Sequence, residues 1–282
     1  MRENKPVEVG VIVLNPDGLV IVRGGGDIAT GVVQKFHRCG FKLLVLETGK
    51  PTAIRRSVSV CEAVYTGRAT VEDICCVLIS DISELNECYD DGNIPLLVDP
   101  VGECIKQLKP LAVIDAIIAK RNSGIYMGMA PITIGLGPGF TAGGDVNAVI
   151  ETKRGHDLGR LILTGSALPD TSIPGEVCGI SKERVIHAPA SGEVRHIHKI
   201  GDVVNNGEII CEIGKNPVSA PFKGLLRGLI HEGLYVPAGM KIADIDPRLD
   251  VDWQTISDKA RCLGGATLEA YFFLRNFFLP HK

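Results

Sequence analysis

Aromatic residues are scarce in this 282-residue chain, at 5%. A chain so poor in flat rings offers no stacking platform for single-stranded nucleic acid. Charge excess is missing too: 30 Lys and Arg against 33 Asp and Glu leave a net charge of −3. That balance argues against a general binder of nucleic acid or of anionic membranes. The nine cysteines, at positions 39, 61, 75, 76, 88, 104, 178, 211 and 262, contain no C-x-x-C pair, so neither a zinc ribbon nor a thioredoxin-like site is expected, and no metal site is assigned. An odd number of scattered thiols suits a reducing compartment in which most stay free and buried. Long apolar runs are also lacking. Residues 123–144 form a charge-free stretch of 22, but seven glycines and two prolines mark it as strand and loop. Residues 9–14 are an apolar run of six ended by Asn15-Pro16-Asp17-Gly18, too short for a signal segment. The expected location is the cytoplasm.

What is abundant is glycine, with 33 residues, and its placement carries the first functional signal. Residues 19–23 read as a buried strand, and Gly24-Gly25-Gly26-Asp27-Ile28-Ala29-Thr30-Gly31 follows at once. Ile28, Val32, Val33 and Phe36 then recur at helical spacing up to a glycine stop at Gly40. A second strand, 42–46, closes at Glu47. This order is the context of a dinucleotide fingerprint. In G-x-G-x-x-A form, Gly24 makes the turn, Gly26 lets backbone approach a pyrophosphate, and Ala29 packs helix on strand. Gly25, Asp27 and Thr30 belong to the same cradle, and the helix end turns its free N–H groups toward phosphate. Glu47, 21 residues after Gly26, stands where a ribose-binding carboxylate belongs. The plain alternative is a tight turn without a ligand. Asp27 introduces a carboxylate beside the phosphate position, where it caps the helix, repels a diphosphate, or orients a substrate or metal.

Arg55 and Arg56 follow the second strand closely and suit a bidentate clamp on a further anionic group; surface ion pairing is the competing reading. Further apolar runs at 75–80, 94–98, 111–114 and 132–136, alternating with helical segments, imply a mostly parallel sheet. Ligands of such sheets lie beyond the carboxyl ends of the strands, which makes Ser80, Asp81, Asp99, Asp115 and Lys120 candidate wall residues, each equally a cap or turn former. A glycine-rich connector over 138–146 ends near Asp145 and is followed by Arg154 and His156, a carboxylate, an anion binder and an imidazole with no spacing that fixes a catalytic role.

The second half repeats itself. Ala188-Pro189, Gly192, Gly201, Gly207 and Ile213 recur at an offset of 32 as Ala220-Pro221, Gly224, Gly233, Gly239 and Ile245, and Arg195 recurs as Arg227. Two such units, neither able to bury its apolar face alone, should pack about a pseudo-twofold axis. Over about 185–246 this resembles the biotinyl/lipoyl barrel-sandwich domain. The tip between the copies, 211–217, lacks the methionine-flanked lysine of carriers, and Met240-Lys241 pairs with Glu208-Ile209 inside a strand, so an unmodified docking element is expected. His196 and His198 share a strand face and read as exposed. The cluster Tyr271, Phe272, Phe273, Phe277 and Phe278 should pack back on the body or form a homodimer contact.

These motifs combine. Arg23 to Gly31, Pro51-Thr52-Ala53-Ile54-Arg55-Arg56, Gly137-Pro138-Gly139-Phe140-Thr141-Ala142-Gly143, the run from Ile150 to Arg160, and the run from Gly239 to Arg248 together resemble the YqeB family, across about 19–275. The nucleotide turn is also similar to that of the XdhC/CoxI accessory proteins. The resemblance implies a component of the selenium-dependent molybdenum hydroxylase system, with a molybdopterin dinucleotide as ligand and the hydroxylase as client. It further raises a sulfur or selenium relay at Cys61 or at Cys75-Cys76. An NAD(P)-dependent oxidoreductase and a non-catalytic scaffold are the competing readings, so whether a reaction is catalysed stays open. The expected fold is α/β: an extension at 1–18, a Rossmann-like mostly parallel sheet domain at 19–140, a connecting β-rich segment at 141–184, the barrel-sandwich module at 185–247 and a helical tail at 248–282.

Overall fold

The computed structural model describes residues 18–170 and 175–278; the N-terminal extension expected at 1–18 falls outside them, apart from Gly18. The first half builds one nine-stranded sheet. Its strands are β1 (Leu19–Arg23), β2 (Lys42–Glu47), β3 (Arg68–Val71), β4 (Ile74–Ile79), β5 (Ile94–Val98), β6 (Ala112–Asp115), β7 (Ile132–Leu136), β8 (Ala148–Ile150) and β9 (Leu161–Ile162), in the order β3-β4-β5-β2-β1-β6-β7-β8-β9. The pairs from β4 across to β8 are parallel, and β3 and β9 close the edges antiparallel. The sheet therefore runs past residue 140, taking two short strands from the connecting segment expected at 141–184.

Alternate side chains of each strand serve opposite layers, as a pleated strand requires. Val20, Val22, Leu43 and Val45 face helices α1 (Asp27–Arg38) and α5 (Asp258–Phe278), whereas Ile21, Leu44 and Val113 face a layer built by the short helices α3 (Leu85–Asp90) and α4 (Cys104–Leu108) with Phe140 and Val146. The remaining helix, α2 (Ala63–Thr66), is a single turn. Burial on both faces explains the nearly unbroken apolar runs of the central strands.

Helices α1 and α5 cross in backbone contact. A Cβ on Gly31 would lie 2.4 Å from the Ala260 carbonyl oxygen, and one on Gly264 would lie 2.3 Å from the Gly31 carbonyl oxygen. The aromatic tail divides: Tyr271 is fully buried at 4.9 Å from the Phe41 ring, while Phe273 and Phe277 pack against one another at the surface. No helix among the described residues is long and apolar enough to cross a membrane.

The second half forms two four-stranded antiparallel sheets from β10 (Val185–His187), β11 (Gly192–His196), β12 (Val203–Val204), β13 (Ile209–Ile213), β14 (Asn216–Ser219), β15 (Gly224–Leu229), β16 (Tyr235–Val236) and β17 (Lys241–Asp246). Their orders are β10-β17-β15-β12 and β14-β13-β11-β16. Shifting each strand by one repeat converts the first order into the second, so the duplication seen in the sequence is a structural symmetry. The copies exchange strands: β12 of the first lies beside β15 of the second, and β16 of the second beside β11 of the first. One apolar core fills the space between.

This β unit docks on the loop after β2. The Leu229 amide donates to the Ile54 carbonyl at 2.7 Å, and Arg56 Nε donates to the Leu229 carbonyl at 2.7 Å. Gly228 permits the approach, since a Cβ there would stand 3.1 Å from the Ile54 carbonyl oxygen. His231 stacks on Tyr65 with centroids 3.8 Å apart. The docking sets strand β17 over the carboxyl edge of the sheet, near the start of α1.

Candidate functional site

Strand order reverses at β1, whose neighbours are β2 on one side and β6 on the other. Connections leave such a point in opposite directions and open a crevice beyond the strand ends. Buried Arg23 holds the crevice in shape: its guanidinium bonds Asp115 Oδ2 at 2.9 Å, the Ser123 carbonyl at 2.9 Å and the Pro100 carbonyl at 3.3 Å. The crevice is a cavity of about 320 Å³ lined by Gly24, Gly26, Asp27, Ile28, Glu47 and Cys61 together with residues 51–53 and 116–118.

Each glycine of the turn has its own reason. Gly24 adopts φ +93°, and a Cβ there would come within 3.0 Å of Ile117 Cα. At Gly25 the close approach is to the protein itself, because a Cβ would meet the Cys61 amide nitrogen at 2.9 Å. Gly26 alone opens on space, with nothing within 4 Å of a Cβ position, so it is the glycine past which a ligand can reach the backbone. It is also the N-cap residue of α1, and no side chain caps that end. The first-turn amides of a helix have no intrahelical acceptor and carry partial positive charge. Ala29 is buried against the sheet, and the Thr30 hydroxyl donates to the Gly26 carbonyl at 2.9 Å and accepts from the Val60 amide at 3.0 Å.

Three sequence expectations change here. Glu47 Oε1 accepts the Gly25 amide at 3.0 Å and Oε2 accepts the Thr48 amide at 2.5 Å, so the carboxylate fastens the glycine turn to β2 as well as lining the cavity. The arginine pair is split: Arg56 points away to Leu229 and to Glu62 at 3.0 Å, while Arg55 turns toward Asp27. Asp27 makes no capping bond; its carboxylate sits 3.4 Å from Arg55 Nη1.

Beyond Asp27 the crevice continues into a wider cleft of about 620 Å³, walled by the start of α1, the first turn of α5 and strands β15 and β17. Asp27 and Ile28 line both spaces. Arg154 reaches this cleft and is held by Asp258 in a two-pronged pair at 2.8 Å. Its cationic walls were invisible in the sequence, because Arg184, Arg227, Lys241 and Lys259 lie far apart in the chain and no local spacing joins them. Burial lowers the pKa of Lys241 and of Lys259, with Asp27 acting against that shift in both.

The other wall candidates do structural work. Asp81 forms a capping box with Glu84, Asp99 accepts the amides of Gly102, Glu103 and Cys104, and Asp145 accepts the Thr141 amide. Lys120 pairs with Asp170 at 2.7 Å, and His156 is exposed away from both spaces. His196, expected at the surface, is half-buried with Nε2 at 2.8 Å from the Ile230 carbonyl, and His198 lies between Asp202 and Glu208. No group of three metal-ligating side chains occurs among the described residues. Cys61 lines the cavity, but burial first, then Glu47, Glu62 and Asp27, push its thiol well above the ordinary range, which disfavours a thiolate nucleophile. Cys76 is sealed in the core.

No protein-family model matches the chain. A curated relative, described as "Uncharacterized protein YqeB" from Escherichia coli (strain K12), is 46% identical over 279 residues, covering 98% of this chain. The chain spans about half the length of that relative, 52%. Among solved structures, an aspartoacylase family protein from Mesorhizobium loti aligns at 9% identity over 82% of this chain and 85% of its own, with a TM-score of 0.28. The ectoine utilization protein EutE from Ruegeria pomeroyi aligns at 9% identity over 81% and 84%, with a TM-score of 0.25. Likeness at that level carries no argument about fold or activity.

Proposed function

With 46% identity across nearly the whole chain supporting a place in the YqeB family, we propose that this protein binds a nucleotide-type, phosphate-bearing small molecule at the switch-point crevice. On this reading the first half is a Rossmann-like domain and the duplicated half an unmodified barrel-sandwich module that closes over the ligand or docks a client. The observation that carries it is Gly26: a bare backbone position at the uncapped start of α1, facing a cavity of about 320 Å³. An unblocked helix end in a concave site is an anion seat built from main chain.

The resemblance to the YqeB family supplies the context. A molybdopterin dinucleotide presents a pyrophosphate to such a helix end and suits an accessory role in the selenium-dependent molybdenum hydroxylase system, with the hydroxylase as partner and the cytoplasm as the setting. The NAD(P) reading draws less support, because both oxygens of Glu47 are already engaged by amides.

Mass spectrometry of small molecules retained by anaerobically purified protein tests the proposal. A pterin dinucleotide should be recovered from the wild type and lost from Gly26→Asp, whose side chain would enter the open space with a negative charge. Equal recovery from both proteins removes the crevice as the site, and recovery of NAD instead would favour the oxidoreductase.

A further inference from the structure

The wider cleft holds more cation than its own carboxylates neutralise. Arg227 and Arg184 are bonded to Asp244, Arg248 to Asp246, and Arg154 to Asp258. Three cations are left over, each from a different part of the chain: Arg55 after β2, Lys241 at the start of β17 and Lys259 in the first turn of α5. Lys241 and Lys259 form no ion pair within 4 Å among the described residues. The Arg55 side chain is 9% accessible, yet its Nε has no hydrogen-bond partner and its one carboxylate neighbour is Asp27, at a long 3.4 Å. A buried guanidinium nitrogen without an acceptor costs free energy that an arriving anion would recover. Asp27 is the carboxylate common to all three, with Asp244 also acting on Arg55 and Lys241, and Glu151 and Asp258 on Lys259.

Asp27 also decides direction. It occupies the first position of α1 and lines both the cavity and the cleft. A phosphate carrying two charges is repelled at Asp27 itself and attracted just beyond it, where seven lining cations outnumber four lining carboxylates. Guanidinium and ammonium groups together suit tetrahedral oxyanions, the first by its fork and the second as a point charge.

We propose that this cleft is a second anion site, taking a phosphate monoester or diphosphate group on Arg55, Lys241 and Lys259. It deepens the reading of the crevice by adding a separate seat built from side chains, two of them supplied by the duplicated half and the last helix. A ligand with two separated anionic groups spans both spaces past Asp27 and Ile28.

Calorimetric titration with inorganic pyrophosphate tests the site in the full chain. The wild type should bind it, and Lys241→Met/Lys259→Met should weaken binding by roughly 100-fold, about tenfold for each ammonium group removed. Gly26→Asp should remove any pyrophosphate held at the turn and leave a site that Lys241→Met/Lys259→Met still weakens, because the turn is not part of this seat. Failure of the wild type to bind at millimolar pyrophosphate overturns the proposal, as does a double variant that binds like the wild type. If Gly26→Asp abolishes binding and the double variant does not, the crevice reading survives and the cleft falls. Should the double variant misfold, amine acylation of the wild type followed by mass spectrometry decides: pyrophosphate must protect Lys241 and Lys259, and unchanged labelling overturns the site.

Discussion

Arg195 and Glu212 stand in the first copy of the β repeat where Arg227 and Asp244 stand in the second, at an offset of 32. Both pairs join neighbouring strands and both close at short range, 2.6 Å and 2.7 Å between Nη2 and the carboxylate. Their surroundings differ. The first pair is 63% and 27% accessible; the second is 15% and 6% accessible, and Asp244 also meets Arg184 while Arg227 reaches Asp246, which Arg248 shares. The second copy also carries Lys241 and Asp246 where the first has Ile209 and Gly214. Duplication supplied one frame twice. The copy that faces solvent kept a plain surface, and the copy that faces α1 and α5 gathered the charge. The first copy therefore serves as an internal control for the second.

The largest test of that contrast is Asp244→Ala against Glu212→Ala. Removing Asp244 leaves Arg184 and Arg227 to share Asp246 alone and should cost about 3 kcal/mol in urea unfolding. A loss below about 1 kcal/mol would mean that the second pair is as solvated as the first. Next comes a change that should not distinguish the copies. A Cβ at Gly192 would meet the Gly214 amide nitrogen at 2.8 Å, and one at Gly224 would meet Ile245 Cγ2 at 2.5 Å. Alanine at either position should lower stability by about 1–3 kcal/mol, and a large asymmetry would break the symmetry argument. Glu212→Ala itself should stay within about 1 kcal/mol of wild type, and its effect should vanish in high salt.

The smallest effect belongs to an exposed pair outside the repeat. The hydrogen bond from Arg38 holds the Asp73 carboxyl down to about 2, aided by Gln34 and opposed by slight burial. A lowered folded-state value means that its stabilisation is full above the unfolded value, about 3.9, and disappears as pH falls through about 2. Asp73→Asn should thus cost less than about 1 kcal/mol at neutral pH, discounted for solvent screening. That cost should shrink toward zero in acid, as chemical denaturation at both pH values would show.

Much of the frame could be read from the chain. The strands at 94–98 and 132–136 were bounded by their apolar runs, and the helix after Gly26 by the recurrence of Ile28, Val32, Val33 and Phe36, because burial on both faces of a parallel sheet leaves continuous signals. The repeat was legible because steric need recurs with it, as Gly192 and Gly224 show. At the site, Gly26, Asp27 and Arg55 were legible as a local motif, whereas the fate of Glu47 was not. A carboxylate 21 residues after the turn looks the same in sequence whether it meets a ribose or the turn's own amide. The cleft was hidden altogether. Lys241 in a strand and Lys259 in a helix become neighbours only through tertiary docking, and the one hint in the chain was the loss of repeat identity at Ile209/Lys241 and Gly214/Asp246.

The strand exchange between the copies bears on how the molecule comes into being. A nascent chain synthesised only as far as Ser219 has made β11 but not β16, and β12 but not β15. Half of the duplicated unit is then a set of open edges, the kind of surface that invites wrong partners. Closure waits for the second copy, which brings the missing neighbours and Lys241 in the same few residues. The ribosome thus completes the architecture of this region and sets Lys241 over α1 in a single late step.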